Sequence, residues 1–452
     1  MILMPSDTAA VLGNDAGQCD SRSLLLERFC DPDAEEEARH RVFTRAFGQT
    51  AFPKKATAWP ALWTSSGYAD RGLMVLHAQL QSRLMVNMAG GVMENAGLCL
   101  DRYGMPYLPG SAVKGCARRM AIQSLLERRE AGDNGEALGR RLADIAITFG
   151  WAEQDWSDDQ RDGRLTSDFA YAVGARQWPE VSDAARNCLP ARSHVAGTVS
   201  FLPAWPVDVS GAGLSLRPPT LGKLELDVLT CHHPEYYGGK RRVALDDEDP
   251  IPVVFPAVAA GHVFTFILLP LRDADQARLL QARQWLAEGL SCFGLGAKTA
   301  AGYGWFDVSD RVQESVTQVL AARAAAEAAR RRAESEAAAQ KALEEAARRH
   351  REETKAATAN LTPEQLEDFK VARLSDDQFR AALDQFSKKS IEEQKAIVRA
   401  LRLDPSVPET RRSFWEDLKV KAQKKGGKFG QTAQALRQLS KQMYPGKEWK
   451  MP

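Results

Sequence analysis

Gly294-Leu295-Gly296-Ala297-Lys298-Thr299, followed after two alanines by Gly302-Tyr303-Gly304, joins a helical pattern to a strand pattern and holds one cation among small residues. Upstream, Asp273 to Leu290 sets Ala277, Leu280, Trp285 and Leu290 near helical spacing. Downstream, Tyr303 to Val308 has the aromatic and β-branched content of a short strand. Residues without a Cβ let main-chain N–H groups approach an anion closely, and successive N–H groups in such a turn form a concave positive site. Lys298 adds a mobile charge and Thr299 a hydroxyl, so the stretch predicts a seat for a phosphate backbone, with Gly294, Gly296, Lys298, Thr299, Gly302 and Tyr303 as its contacts. A plain corner is the competing reading, because glycine clusters are first of all turn residues. A nucleotide-hydrolysing P-loop is excluded. It needs glycine directly before its lysine and another five residues earlier, where this chain has Ala297 and Cys292. The helix-then-strand order is also the reverse of the one that aims a helix dipole at a triphosphate.

The length of 452 residues predicts two or three domains. A net charge of +1 neither demands nor excludes an anionic partner, so only local clusters argue for one. The seven cysteines are odd in number and scattered, with no Cys-x-x-Cys pair and no leading apolar segment, which implies a reducing cytoplasm. Apolar runs such as Val263 to Leu269 fall far short of the roughly 20 residues that cross a bilayer, so no membrane contact is expected.

Residues 1–72 form an N-terminal segment with mixed signals, among them a short helix over Glu35 to Phe47. From 73 to 310 the patterns describe a core. Met74, Leu76, Ala78, Leu80, Leu84 and Val86 alternate with His77, Gln79, Gln81 and Arg83, the period of a half-buried strand. After Gly90 and Gly91, Pro109-Gly110-Ser111 breaks the chain. Ser111 is positioned to cap a helix with Val113, Cys116, Met120 and Leu125 on one face. Residues 132–195 read as an insertion whose loops extend beyond the core. Thr198 to Leu202, Leu224 to Val228 and Val263 to Leu269 supply the remaining strands of one sheet. The order fits an α+β, ferredoxin-like (RRM-like) core with large insertions. From 311 to 360 the chain turns to Ala, Glu and Arg, a helical strut or linker that can bury little. From 361 to 452, capping-box starts at Thr362/Gln365, Ser375/Gln378 and Ser390/Glu393 predict a small all-α extension, with Phe379, Leu383 and Phe386 on one face and Ile397, Val398 and Leu401 on another.

Two basic glycine motifs thus flank the sheet. The first holds Gly110, Ser111, Lys114 and Arg118, with the two cations one turn apart beside a helix start that offers N–H groups to a phosphate. The pair PYLPGSAVKGCARR and GLGAKTAAGYGWF, with LELDVLTCHHPEYYGGK between them, resembles the signature of the RAMP superfamily, the RNA-binding proteins of CRISPR effector complexes. Within it the middle segment is similar to the Cmr-module subunit numbered six. The likeness covers roughly Leu73 to Val308. It implies a guide-RNA-binding subunit that contacts the guide CRISPR RNA, its target duplex, adjacent RAMP backbone subunits and other Cmr-complex subunits. It also implies an end position on a type III-B filament in antiviral defence, with neither cofactor nor metal. Phosphate contacts of this kind are indifferent to base sequence, as a guide holder requires.

Related backbone subunits cut RNA with an Asp in the loop after the first core strand. Asn87 to Leu100 has Glu94 and no Asp here, which implies no nuclease activity, with Asp101 close by. By the same likeness the insertion carries a hairpin that wedges into the duplex, with Trp178 or Phe169 stacking on bases. An alternative is metal-independent RNA cleavage through His232, His233, Tyr236 and Tyr237 as acid and base. Zinc binding by Cys188, His194, Cys231 and His232 matches no compact ligand spacing. Lys419, Lys421, Lys424, Lys425 and Lys428 form the densest basic cluster, either a solvated helix end or a contact of the C-terminal domain with a further protein or RNA.

Overall fold

The computed structural model describes residues 5–12, 19–31, 33–48, 72–87, 90, 97–156, 160–161, 164–165, 169, 172, 178–192, 194–271, 274–402, 409–425 and 427–445. The chain divides into two units, Met1–Ala326 and Glu327–Pro452.

The first unit mixes helices with antiparallel strands. Its central strand, Met74–Leu80, pairs with Val263–Pro270 on one side and with Phe306–Asp307 on the other. Val263–Pro270 also pairs with Val199–Phe201 and Trp205–Val207. Two helices, Gly110–Glu130 and Gln276–Cys292, cover one sheet face. They cross closely at Gly289, where an added Cβ would stand 2.9 Å from the Cys116 carbonyl oxygen. The buried face of the second helix is Leu279, Ala282, Trp285, Leu286 and Leu290. Leu280 is 54 % exposed and Ala277 is exposed too, so the expected face is rotated by about one residue.

The central strand is buried on both faces, not half-buried. Gln79 is 0 % exposed, its amide donating to the Leu216 carbonyl at 2.7 Å and accepting from Ser215 Oγ at 2.9 Å. His77 Nδ1 lies 3.1 Å from Thr265 Oγ1, and burial, with Arg283 adding to it, lowers its pKa to about 4. Val207, Val209, Val263, Val312 and Val316 close this face as a small second core. Val312 and Val316 belong to the helix Asp310–Thr358, which is otherwise exposed over most of its length.

Leu224–Cys231 does not join the main sheet. It forms a separate hairpin with Ile251–Val258, paired over eight positions. Its base is buried at Leu224, Phe255 and Val258, while Val228 and Ile251 nearer the tip are 51 % and 52 % exposed. Nor is the insertion merely a set of loops. Gly135–Phe149 is a helix whose Leu138, Leu142, Ile145 and Phe149 join the main core. The N-terminal segment packs there as well, through Leu25, Leu26 and Phe43. Arg22, 3 % exposed, donates to the Gly104 carbonyl and, at 2.6 Å, to the Gly222 carbonyl.

In the second unit, all three capping boxes form as their spacing requires. Phe379, Phe386, Ile397 and Leu401 share a core with Phe414, Trp415 and Leu436 from two further helices, Glu409–Lys425 and Gly427–Met443. Arg399 bridges Glu364 at 2.6 Å and Asp368 at 2.7 Å. Among the described residues, no helix is long and apolar enough to cross a membrane.

The free edge of the central strand near its start is covered by side chains. Gln313 accepts from the His77 N–H at 2.9 Å and donates to the His77 carbonyl, and Arg283 donates to the Val75 carbonyl at 3.0 Å. Removing a partner from a buried peptide group costs about 1–3 kcal/mol. Gln313→Ala is therefore expected to lower the stability of the first unit by about 2 kcal/mol, read as a shifted urea midpoint.

Candidate nucleic-acid interface

One face of the first core helix and the start of the glycine loop meet at a cleft that Gly294 and Gly296 line, whereas Gly110, Ser111, Lys114, Arg118, Lys298, Thr299, Gly302 and Tyr303 are not among its lining residues. Ala112, Gly115, Cys116 and Arg119 of the first core helix face Phe293 to Ala297 of the glycine loop, with Val86 and Asn87 beside them, around a volume of about 430 Å³. Positions 112, 115, 116 and 119 form one helix face by their spacing of three and four. Arg119 is exposed, and its guanidinium stands 4.2 Å from the Phe293 ring centroid, flat cation over flat ring. The basic motif in the sequence points to Arg118, but the adjacent Arg119 is the residue that meets the cleft. The spacing from Gly115 was the available signal.

Lys114 and Arg118 occupy a different face of that helix. The Arg118 guanidinium stacks 4.4 Å over Phe169, and burial together with Arg118 draws the half-buried Lys114 ammonium below its ordinary pKa. Phe169 is 0 % exposed, which corrects its expected role as a stacking platform for bases. Trp178 is 37 % exposed beneath Arg129. Ser111 is exposed but lies inside the helix. The N-cap is Pro109, and no side chain caps the start. Gly110 sits against the Phe201 carbonyl oxygen, 2.4 Å from where a Cβ would be.

The loop's main chain is largely committed to the protein. The N–H groups of Leu295, Ala297 and Gly304 donate to Gly304, Met85 and Arg83, and those of Ala301, Gly302 and Tyr303 donate within the loop. The N–H groups of Gly294, Gly296, Lys298 and Thr299 have no backbone acceptor among the described residues, so of the expected donors only those of Gly302 and Tyr303 are taken up by the loop itself. Glycine is required for contact: a Cβ on Gly296 would lie 2.3 Å from the Met85 carbonyl oxygen, and one on Gly304 would lie 2.0 Å from that of Leu295. Both have left-handed φ values, 108° and 69°, as does Lys298 at 57°. Thr299 accepts the Trp305 indole N–H on its carbonyl at 3.2 Å. The Lys298 ammonium stands 5.3 Å from the Phe255 ring centroid, at the hairpin base.

Tyr303 is buried and not a surface ring. Its hydroxyl donates to Asp227 Oδ2 at 2.6 Å, and its ring tilts against Phe255. Burial and the Asp227 carboxylate raise the phenol pKa to about 12. Arg83 joins Asp227 at 3.0 Å and Glu225 at 3.2 Å. The loop, the segment after the first core strand and the hairpin base are thereby clamped together.

At the hairpin tip the strand stops at Cys231, and Pro234–Tyr237 forms a single helical turn. His233 Nδ1 lies 3.1 Å from the Leu245 carbonyl oxygen, while Tyr236 and Tyr237 are 41 % and 75 % exposed. Among the described residues, no group of three or more His, Cys, Asp or Glu side chains is arranged to hold a metal ion. Asp101 Oδ1 accepts the N–H groups of Tyr103 and Met105 at 2.8 and 2.9 Å, which engages it in a turn. Glu94 lies outside the described residues.

The RAMP superfamily model matches residues 60–307, the stretch that contains both motifs and the hairpin. The chain belongs to the RAMP superfamily. The CRISPR system Cmr subunit Cmr6 of Pyrococcus furiosus is 30 % identical over 249 residues, covering 52 % of this chain and 69 % of that protein. Two solved structures are also similar. A crystal structure of Cmr6 from Pyrococcus furiosus is 24 % identical, with a TM-score of 0.28 over 52 % of this chain and 98 % of that one. A chain of a type IV-B CRISPR complex is 17 % identical, with a TM-score of 0.27 over 53 % and 90 %.

In this RAMP chain the Tyr303–Asp227–Arg83 clamp is directly testable. Burial pushes the Asp227 carboxyl up, but the bonds from Tyr303, Val228 and Arg83 outweigh it, so the folded pKa is lowered. A depressed carboxyl stabilises the fold above its unfolded pKa, and that stability is lost as pH falls through the folded value. The melting temperature is expected to drop with acidification below about pH 4, near the ordinary Asp range, and Asp227→Asn to flatten that drop.

Proposed function

We propose that this chain is a non-catalytic RNA-binding subunit of a type III-B CRISPR effector complex. In this role it grips the sugar–phosphate backbone of the guide RNA near its 3′ end in the cytoplasm. It caps the filament against an adjacent RAMP subunit. The convergence of two segments about 180 residues apart on one cleft carries the proposal, since a helix face of small residues bearing Arg119 and a glycine loop so distant in the chain meet around a single open volume. The sheet and its two covering helices serve as the ferredoxin-like layer, and the relationship to Cmr6 supplies the type of complex.

Arg119 is the proposed principal phosphate contact, with Gly110, Ser111 and Gly294 to Gly296 bounding the path of the strand. Lys114 and Lys298 contribute at longer range, and Tyr303, Thr299 and Gly302 hold the loop in shape. We assign the duplex-wedging role to the hairpin Leu224–Val258, because its tip exposes Val228, Tyr237 and Ile251. The C-terminal unit is proposed to contact a further protein or RNA.

Full-length protein is expected to bind labelled single-stranded RNA of unrelated sequences with equal affinity and to leave it intact. Arg119→Ala should weaken binding about tenfold, about 1.4 kcal/mol, and reduce the salt slope by about 0.7. Unchanged affinity in that variant would count against the cleft. Cleavage that disappears in His232→Ala or His233→Ala would replace this function with the endoribonuclease alternative.

A further inference from the structure

Lysine and arginine are segregated within the C-terminal unit. Between Asp417 and Glu448 the sequence has eight of them and no Asp or Glu, so a chain of net charge +1 is acidic elsewhere. The stretch takes in the end of the helix Glu409–Lys425 and all of the helix Gly427–Met443. That second helix buries Thr432, Ala433, Leu436, Leu439 and Ser440. On its other side Gln434, Arg437, Gln438, Lys441 and Gln442 are exposed, and their spacing of three and four places them on one face. The face holds two cations and three amides, with no carboxylate.

Elsewhere in this unit cations are neutralised by neighbours. Lys370 meets Glu367 at 2.7 Å, Lys395 meets Glu392 at 2.9 Å, and Lys419 meets Glu416 at 2.7 Å. Among the described residues, no carboxylate lies within ion-pair reach of Arg437, Lys441 or the exposed Lys421. The Arg437 guanidinium stands 5.7 Å from the centroid of Trp415, a ring that Lys419 approaches to 6.0 Å from the neighbouring helix. Arg402 stacks 3.3 Å over Tyr444, three residues beyond Lys441. A guanidinium held beside a ring gives up less freedom when its N–H groups meet an anion. Charge of one sign gathered without counter-charge repels itself, and an anionic partner relieves that repulsion.

We infer that this face binds the phosphodiester backbone of a nucleic-acid strand. The inference rests on the contact proposed above for the C-terminal unit, narrows it to nucleic acid, and does not draw on the cleft. Phosphate oxygens accept from Arg, Lys and Gln side chains, the donors that the face presents. Each phosphate neutralised releases counterions, so such a face gains affinity without reading bases. A lipid surface would need an apolar side to insert, and the apolar sides of both helices form the core of the unit. Among their described residues Val420, 48 % exposed, is the large apolar side chain left outside. A protein partner would meet a face lacking the aromatic anchors and charge-poor centre of such interfaces.

Fluorescence anisotropy of the full-length protein with labelled single-stranded RNA, and with DNA of the same sequence, tests this, with a polyglutamate peptide as competitor. Arg437→Gln combined with Lys441→Gln is expected to weaken RNA binding about tenfold and to lower the salt slope by about 1.4, two phosphates at about 0.7 each. The melting temperature should not change. Gln438→Glu, which removes no cation and adds an anion to the same face, should weaken binding too. Both losses should persist in the Arg119→Ala background, where the cleft contact is already absent. A parallel loss for DNA would identify the phosphodiester as the feature recognised, and a loss for RNA alone would identify the ribose strand. Full affinity in Arg119→Ala beside a loss in the helix variants would remove the cleft reading and leave this inference standing. Unchanged affinity and salt slope in both helix variants, losses that vanish in the Arg119→Ala background, or displacement of RNA by polyglutamate at equal charge concentration would overturn it.

Discussion

At Gly296 and Gly304 the main chain of the loop presses against the carbonyl oxygens of Met85 and Leu295, closer than any side chain allows. Much else in the first unit follows from that contact. The Ala297 and Gly304 N–H groups reach Met85 and Arg83 because the backbones are so near, and the left-handed turns at Gly294, Gly296, Lys298, Gly302 and Gly304 are the geometry that brings them there. With the loop held flat against the segment after the central strand, its far side faces Ala112, Gly115 and Arg119 and bounds the cleft. Its other end turns Tyr303 inward to Asp227. The glycines thus set where the wall of the cleft stands.

Cations at the cleft are few. Among the described residues that line it, Arg119 is the one charged side chain. Lys114, Arg118 and Lys298 lie against protein surfaces, where burial or an aromatic ring fixes them. Guanidinium over a ring is a pre-organised donor, since stacking limits its rotamers while its outer N–H groups stay available.

Features determined by neighbours along the chain are legible in the amino-acid sequence. The three capping boxes depend on residues three apart, and all three form. The short helix near Glu36, the strand at Met74 and the helix after Gly110 rest on local period and breakers in the same way. Features that depend on distant packing are not legible there. Arg118 and Arg119 are adjacent, and only the positions of Phe169 and Phe293 decide which of them meets the cleft. Gln79 and His77 carry the polar signature of a solvent face, yet Leu216, Ser215 and Thr265 arrive from far along the chain to satisfy them. The hairpin Leu224–Val258 has the alternation of a sheet member, and nothing local tells that it pairs apart from the main sheet. Arg22 carries no local signal, since its partners are carbonyls at Gly104 and Gly222.

The glutamine at position 313 imitates a peptide group. Its carboxamide offers one acceptor and one donor to His77, as a neighbouring strand would, and it does so from a helix. Along that stretch, a foreign polypeptide seeking to extend the sheet meets occupied hydrogen-bonding positions. Strand addition is thereby blocked along this stretch, from Val75 to His77, by side chains alone.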